Sequence, residues 1–221
     1  MLAAAAWSFG VVSFLALQRP VYHRIRLALL MLLVYFVPLV IAILLFHLDR
    51  FDFAAPITYA FFMIVGVMTV LTLWYLFRQP QLAPEQAQDS APADALSRSW
   101  FLVVAVAMAL WGAALFITDN GASDLIWVWP GDLLSSRLIS VMLLSIAVGA
   151  NYSMHRADTT RIMLWIVVVY GAGVAVANLW NALSSKSIKG SYTLVFALMA
   201  IVSAAMLFMN RQTRAEEAAH L

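Results

Sequence analysis

The chain has 221 residues, of which 64% are hydrophobic and only 11% charged, with a net charge of +2 and a mean hydropathy of +0.90. That leaves too little polar surface to clothe a soluble domain of this length, so the solvent of most of the chain is lipid. Cysteine is absent, which excludes a disulfide framework, a thiolate metal site and a thiol nucleophile, and the small net charge is carried by loops and offers nucleic acid no basic patch.

A hydrocarbon core about 30 Å thick is crossed by roughly 17 to 25 helical residues. Runs suited to that task cover residues 2–17, 27–48, 57–77, 100–118, 138–154, 162–183 and 192–209. They are continuously apolar, whereas barrel strands are about ten residues long and alternate in polarity. The fold class read from the sequence is therefore all-α, a polytopic membrane protein with seven transmembrane helices.

The first run lacks a basic start and leads into Arg19, Arg24 and Arg26. That charge order is the reverse of a signal peptide's, so the run is read as a membrane helix. The second contains Tyr35 and Pro38 and ends at His47, and the third ends at Arg78. Residues 79–99 follow, with Pro80, Pro84 and Pro92 among Gln, Asp and Glu, a composition that reads as a polar linker.

The fourth run is followed by a loop over 119–137 that carries Trp127 and Trp129, side chains that favour the headgroup layer as interfacial anchors. The fifth run holds Asn151 and the sixth holds Tyr170, Gly171, Gly173, Asn178 and Asn181. After the seventh, residues 212–221 form a polar tail.

Nine of the thirteen Lys and Arg residues fall on the side that receives the 18–26, 78–99 and 155–161 loops and the C-terminus; Arg50, Arg137, Lys186 and Lys189 fall on the other. The positive-inside rule makes the first side cytoplasmic and the N-terminus external, in the manner of a bacterial inner-membrane protein.

Polar anchors recur along the chain. Arg26 and Tyr35 return as Arg161 and Tyr170, with Leu29, Val34, Ala42 and Leu44 returning as Leu164, Val169, Ala177 and Leu179, all at an offset of 135 in residue number. Tyr59 and the pair Arg78-Gln79 then align with Tyr192 and Arg211-Gln212. The expected organisation is a parallel repeat: a three-helix unit over 1–78, a linker helix over 100–118, and a second three-helix unit over 138–211, related by an axis along the membrane normal. Carrying the offset back sets Trp7 opposite Met142 and Met1 opposite Ser136, so the first unit lacks a counterpart of the fourth helix. Two explanations stay open, an upstream start and the loss of one N-terminal helix.

The run from Asp124 to Arg137, with Trp127, Trp129, Pro130, Leu133 and Arg137, and the turn His47-Leu48-Asp49-Arg50-Phe51-Asp52-Phe53 resemble a poorly characterised family of bacterial polytopic membrane proteins of about eight helices with a Trp-Pro-rich outer loop. Gly131-Asp132 and Ser140-Val141-Met142 depart from that pattern. The resemblance implies a helix count and brings no activity or functional residue with it.

Chemistry within the spans is sparse. No Asp, Glu, Lys or Arg sits centrally in any of them, which argues against carboxylate-coupled pumping and voltage sensing. A single His47 at a span's end does not make a bis-histidine haem site, and the outer acids lack the partner set that catalysis or a metal needs, so no catalytic residue, metal or cofactor is expected. Tyr35, Asn151, Tyr170, Asn178 and Asn181 are the candidate polar groups, either lining a path for a small solute or hydrogen-bonding between helices. Pro38, Gly171 and Gly173 are candidate hinges, because Pro38 aligns with Gly173 and breakers at matched positions of two repeats point to a transporter's binding region.

Two functions follow as expectations. One is a non-catalytic structural or accessory subunit, packed on lipids, partner membrane subunits or copies of itself; the other is a carrier of small neutral solutes that works between the two units. The topology is open to test in a chain without native cysteine: Cys introduced at Ser90 is expected to resist an impermeant thiol reagent in intact cells and to react after permeabilisation, and labelling in intact cells reverses the orientation.

Overall fold

The computed structural model describes residues 2–18, 21–82, 92–117, 133–184 and 190–219. Among them there is no strand. Seven helices follow one another: α1 (Leu2–Gln18), α2 (Tyr22–Phe46), α3 (Pro56–Leu82), α4 (Ala95–Ile117), α5 (Leu133–Ser153), α6 (Ala157–Leu183) and α7 (Gly190–Ala219), with a single 3-10 turn at Leu48–Arg50 between α2 and α3. Six of these are long and apolar enough to cross a membrane, and α1 is a shorter apolar helix. The molecule is a multi-pass helical membrane protein in architecture.

The helices outrun the apolar segments that announce them. Helix α4 begins at Ala95 rather than near 100, α5 at Leu133 rather than 138, α6 at Ala157 rather than 162, and α7 continues to Ala219. Hydropathy marks only the stretch that sits in hydrocarbon, whereas the backbone stays helical until something else satisfies its terminal groups. At α4 that partner is Asp94, whose Oδ2 accepts the Ser97 N–H at 2.9 Å, an N-cap that hydropathy does not register. At α3 it is Pro56 in the first helical position, where a missing N–H costs nothing, approached through an Asp52 turn that accepts the Ala54 N–H.

Helix α5 is the centre of the bundle, buried on almost every side. It packs against α4 on one flank and α2 on the other, and more lightly against α6. Helix α6 packs against α7 and α1, and α3 lies at the periphery against α2. The main core runs through α1, α2, α4, α5, α6 and α7 around Met31, Phe101, Met108, Met142, Ile146 and Met163. A smaller cluster at the far end joins Leu39 and Ile43 of α2 to Val141 of α5, with Phe51, Phe61 and Phe62 against it.

Lipid is as apolar as a leucine side chain, so helices associate there by close contact and by hydrogen bonds rather than by escape from water. The glycines show where contact is closest. A Cβ on Gly171 would stand 2.6 Å from the Phe196 carbonyl of α7, and one on Gly173 would stand 2.7 Å from the Ala4 Cβ of α1. Gly112 of α4 meets Leu144 of α5, and Gly149 of α5 sits between the sulfurs of Met31 and Met163.

The large side chains left outside, among them Ile57, Ile64, Val67, Trp74 and Phe77 on α3, form a continuous apolar surface. In water this would be an aggregation patch; in a bilayer it is the lipid face.

Replacing these glycines should separate backbone contact from side-chain contact. Gly171→Ala, which meets a carbonyl, is expected to lower unfolding free energy in detergent by about 1–3 kcal/mol. Gly149→Ala should cost less because flexible methionine ends can move. Gly10→Ala, where a Cβ meets nothing within 4 Å, should be neutral or slightly stabilising. Denaturant titration of the three variants reads this order directly.

Candidate functional site

The polar interior is organised along the seam between α2 and α5. At one end of the seam Arg137, in the second turn of α5, is buried and donates from Nη1 to His47 Nε2 at 2.7 Å. Arginine carries donors only, so Nε2 is the acceptor and the neutral imidazole keeps its proton on Nδ1. The guanidinium also lies over the Phe46 ring, 4.4 Å from its centroid, a cation–π contact that offsets part of its desolvation.

Midway along the seam Ser145 Oγ donates to the Met31 carbonyl. At the opposite, basic end, buried His23 hydrogen-bonds the Tyr152 hydroxyl at 3.0 Å through Nδ1. Nearby, Arg24 Nε donates to the Asp158 carbonyl at 3.2 Å and Arg26 Nη1 donates to the Tyr22 hydroxyl at 2.9 Å. The first turns of α2 and α6 are thus joined at that end.

A second polar seam ties α4 to its neighbours. Ser140 Oγ of α5 donates to the Gly112 carbonyl of α4 at 2.6 Å. Trp100 Nε1 of α4 donates to Ser203 Oγ of α7 at 2.9 Å. Trp111 packs edge-on against Tyr192, with centroids 4.8 Å apart, and tilts against Phe196 at 5.8 Å.

Against this frame the candidate residues separate. Tyr170 is fully buried, edge-on to Phe196 at 5.7 Å, and Tyr35 is half-buried, edge-on to Phe9 at 5.0 Å and packed on the main core. Both tyrosines therefore face the interior. Asn151 is exposed at the end of α5, and its neighbour Tyr152 takes the inward place.

Asn178 is buried, and its Nδ2 has no hydrogen-bond partner among the described residues. Asn181 spends its Nδ2 on the Ala177 carbonyl of its own helix at 3.0 Å. Helix α2 runs unbroken through Pro38, and α6 runs unbroken through Gly171 and Gly173, which serve as contact points for α7 and α1. Trp127 and Trp129 lie outside the described residues.

An apolar notch opens between α2 and α3, lined by Val40, Ile43, Leu44, Phe61, Phe62 and Val65. Its wall offers nothing to orient a polar solute. Among the described residues no group of three or more His, Asp or Glu comes together in a way that could hold a metal ion.

In the sequence Arg137 closes the outer loop and His47 stands at the end of a span, and nothing in the pattern joins the two. The signal was present in part: a histidine stands near each end of α2, and an arginine follows the Trp-rich loop at the start of an apolar run. Pairing across 90 residues of chain is a tertiary fact. Comparison with protein-family models, with curated proteins and with solved structures yields no match.

Two substitutions weigh these groups. His47→Leu removes one acceptor of a buried guanidinium and should cost about 1–3 kcal/mol of unfolding free energy. Asn178→Leu replaces a buried amide whose nitrogen is unpartnered and is expected to be neutral or stabilising. Equilibrium unfolding in mixed micelles would measure both, and a large loss from Asn178→Leu would reveal an unrecognised partner for that amide.

Proposed function

We propose that this chain is a non-catalytic structural or accessory subunit of a membrane assembly. It is placed in a bacterial cytoplasmic membrane with its basic end and C-terminus inside, in the manner of the multi-helix family with the Trp-Pro-rich outer loop. The observation that carries this reading is the use the bundle makes of its interior polar groups. His23, His47, Arg137, Ser140, Ser145 and Trp100 are each hydrogen-bonded to another helix. Their chemistry is engaged in holding helices in register, and the candidate hinge glycines are engaged in close packing.

The orientation is supported by the concentration of arginine at one end, including Arg24, Arg26, Arg78, Arg98, Arg156 and Arg161. The large lipid-facing surface of α3 and α1 supports a role in lateral packing.

One observation favours the second reading, a carrier of small neutral solutes that acts between the units 1–78 and 138–211. Asn178 presents an amide nitrogen without a partner among the described residues inside the bundle, and Tyr35 and Tyr170 both pack on the same core. Native mass spectrometry of the chain purified in mild detergent should discriminate between the two. The subunit reading expects stoichiometric co-purification with a larger membrane assembly. An isolated chain or small oligomer whose proteoliposomes take up a neutral solute, with uptake abolished by Asn178→Leu, would replace it with the carrier.

A further inference from the structure

We propose that the basic end of the α2–α5 seam is a binding site for the phosphate of an anionic phospholipid, held between Arg26 and Arg156 with the Tyr22 and Tyr152 hydroxyls beside them. The site does not depend on whether the chain serves as a subunit or as a carrier.

Six described arginines lie at this end, Arg24, Arg26, Arg78, Arg98, Arg156 and Arg161, and they are not equivalent. Arg78 is exposed and lies over Trp74 of its own helix, 4.7 Å from the ring centroid. Arg98 and Arg161 are exposed as well. Arg24, Arg26 and Arg156 are half-buried and come from the first turns of α2 and the N-terminal end of α6, which the Arg24 bond to the Asp158 carbonyl draws together. The charges of Arg26 and Arg156 both act on the hydroxyl of Tyr152 at the end of α5, and buried His23 holds that hydroxyl from the inner side at 3.0 Å.

These guanidiniums touch neutral oxygens. Arg24 Nε donates to the Asp158 carbonyl at 3.2 Å, Arg26 Nη1 to the Tyr22 hydroxyl at 2.9 Å and Arg156 Nη1 to the His155 carbonyl at 3.2 Å. Arg156 Nε is buried with no partner among the described residues. A guanidinium carries five N–H donors in a rigid fork, so one or two bonds to neutral oxygens leave much of each fork unspent.

Among the side chains described at this end, Asp94 and Asp158 are the acids. Asp94 caps α4. Asp158, in the first turn of α6, is the one described carboxylate whose charge reaches Tyr152. Three half-buried guanidiniums therefore share a single described carboxylate, and charge drawn partly out of water is stable only with a counter-charge.

Depth selects the source of that counter-charge. Arg26 is the last charged residue of α2, and from Leu27 to Phe46 the helix is apolar. The cluster thus stands where hydrocarbon gives way to headgroups, with an apolar helix face running from it into the membrane. A phosphodiester joined to acyl chains fits both parts, whereas a free anion fits only the charge. Phosphate oxygens accept two parallel N–H bonds from one guanidinium, and basic pockets between spans at this level suit such headgroups.

The test counts lipid adducts on the full chain by native mass spectrometry in neutral detergent, with phosphatidylglycerol and phosphatidylcholine of matched acyl chains added in equal amounts. One phosphatidylglycerol should be retained over phosphatidylcholine by at least about tenfold. Arg26→Gln combined with Arg156→Gln should erase that preference. Arg78→Gln combined with Arg98→Gln, which removes the same charge from the same end, should change it by less than about twofold. Arg156→Gln by itself should lower it at least about threefold, and it decides the matter if the double variant does not fold.

Equal retention of the two lipids, or equal losses from the two double variants, overturns the site and leaves only the general attraction of a basic surface. Displacement of the lipid by millimolar inorganic phosphate overturns the phospholipid as occupant and assigns the cluster to a free anion.

Discussion

The seam between α2 and α5 carries a polar tie at each of three depths, and the rest of the bundle is arranged around it. Arg137 donates to His47 at one end, Ser145 donates to the Met31 carbonyl in the middle, and His23 meets Tyr152 at the other. A bond of this kind in a membrane protein contributes only about 0.6 kcal/mol on average, so the three do not dominate the stability. They fix register. A one-turn slip of α5 against α2 would leave a buried guanidinium and two buried imidazoles without these partners, and buried polar groups without partners are costly in a low-dielectric interior.

With that seam set, the remaining contacts fall into two kinds. Where glycine stands at a crossing, as at Gly171 on α7 and Gly173 on α1, backbones come within van der Waals reach and many weak dispersion contacts accumulate. Where tryptophan stands, as between α4 and α7, the backbones are held apart and the ring fills the gap while its N–H finds a hydroxyl. This second mode makes α4 a spacer as much as a strut. It also explains why α3, with no such helix over it, is the most exposed element of the bundle.

The two modes also bear on function. A site for a polar solute requires polar groups that converge on a space, whereas here such groups converge largely on one another. Asn178 is one of several exceptions, its buried amide nitrogen without a partner among the described residues, as are the hydroxyls of Ser97, Ser153 and Thr160. The notch between α2 and α3 has only apolar side chains on its wall.

The sequence by itself determined the all-helical, multi-pass architecture, because seven continuous apolar runs in a chain with 11% charged residues admit no other arrangement of satisfied backbone. It also singled out Tyr35, Tyr170 and the glycines of α6 as special positions. It did not reveal that Gly171 and Gly173 meet α7 and α1 at close range, that Asn151 is exposed while Tyr152 is turned to His23, or that Arg137 pairs with His47. Apolar periodicity is weak in lipid, where both the inside and the outside of a bundle are hydrophobic. The burial of each face, and the partner of each polar group, are therefore decided only when the helices pack.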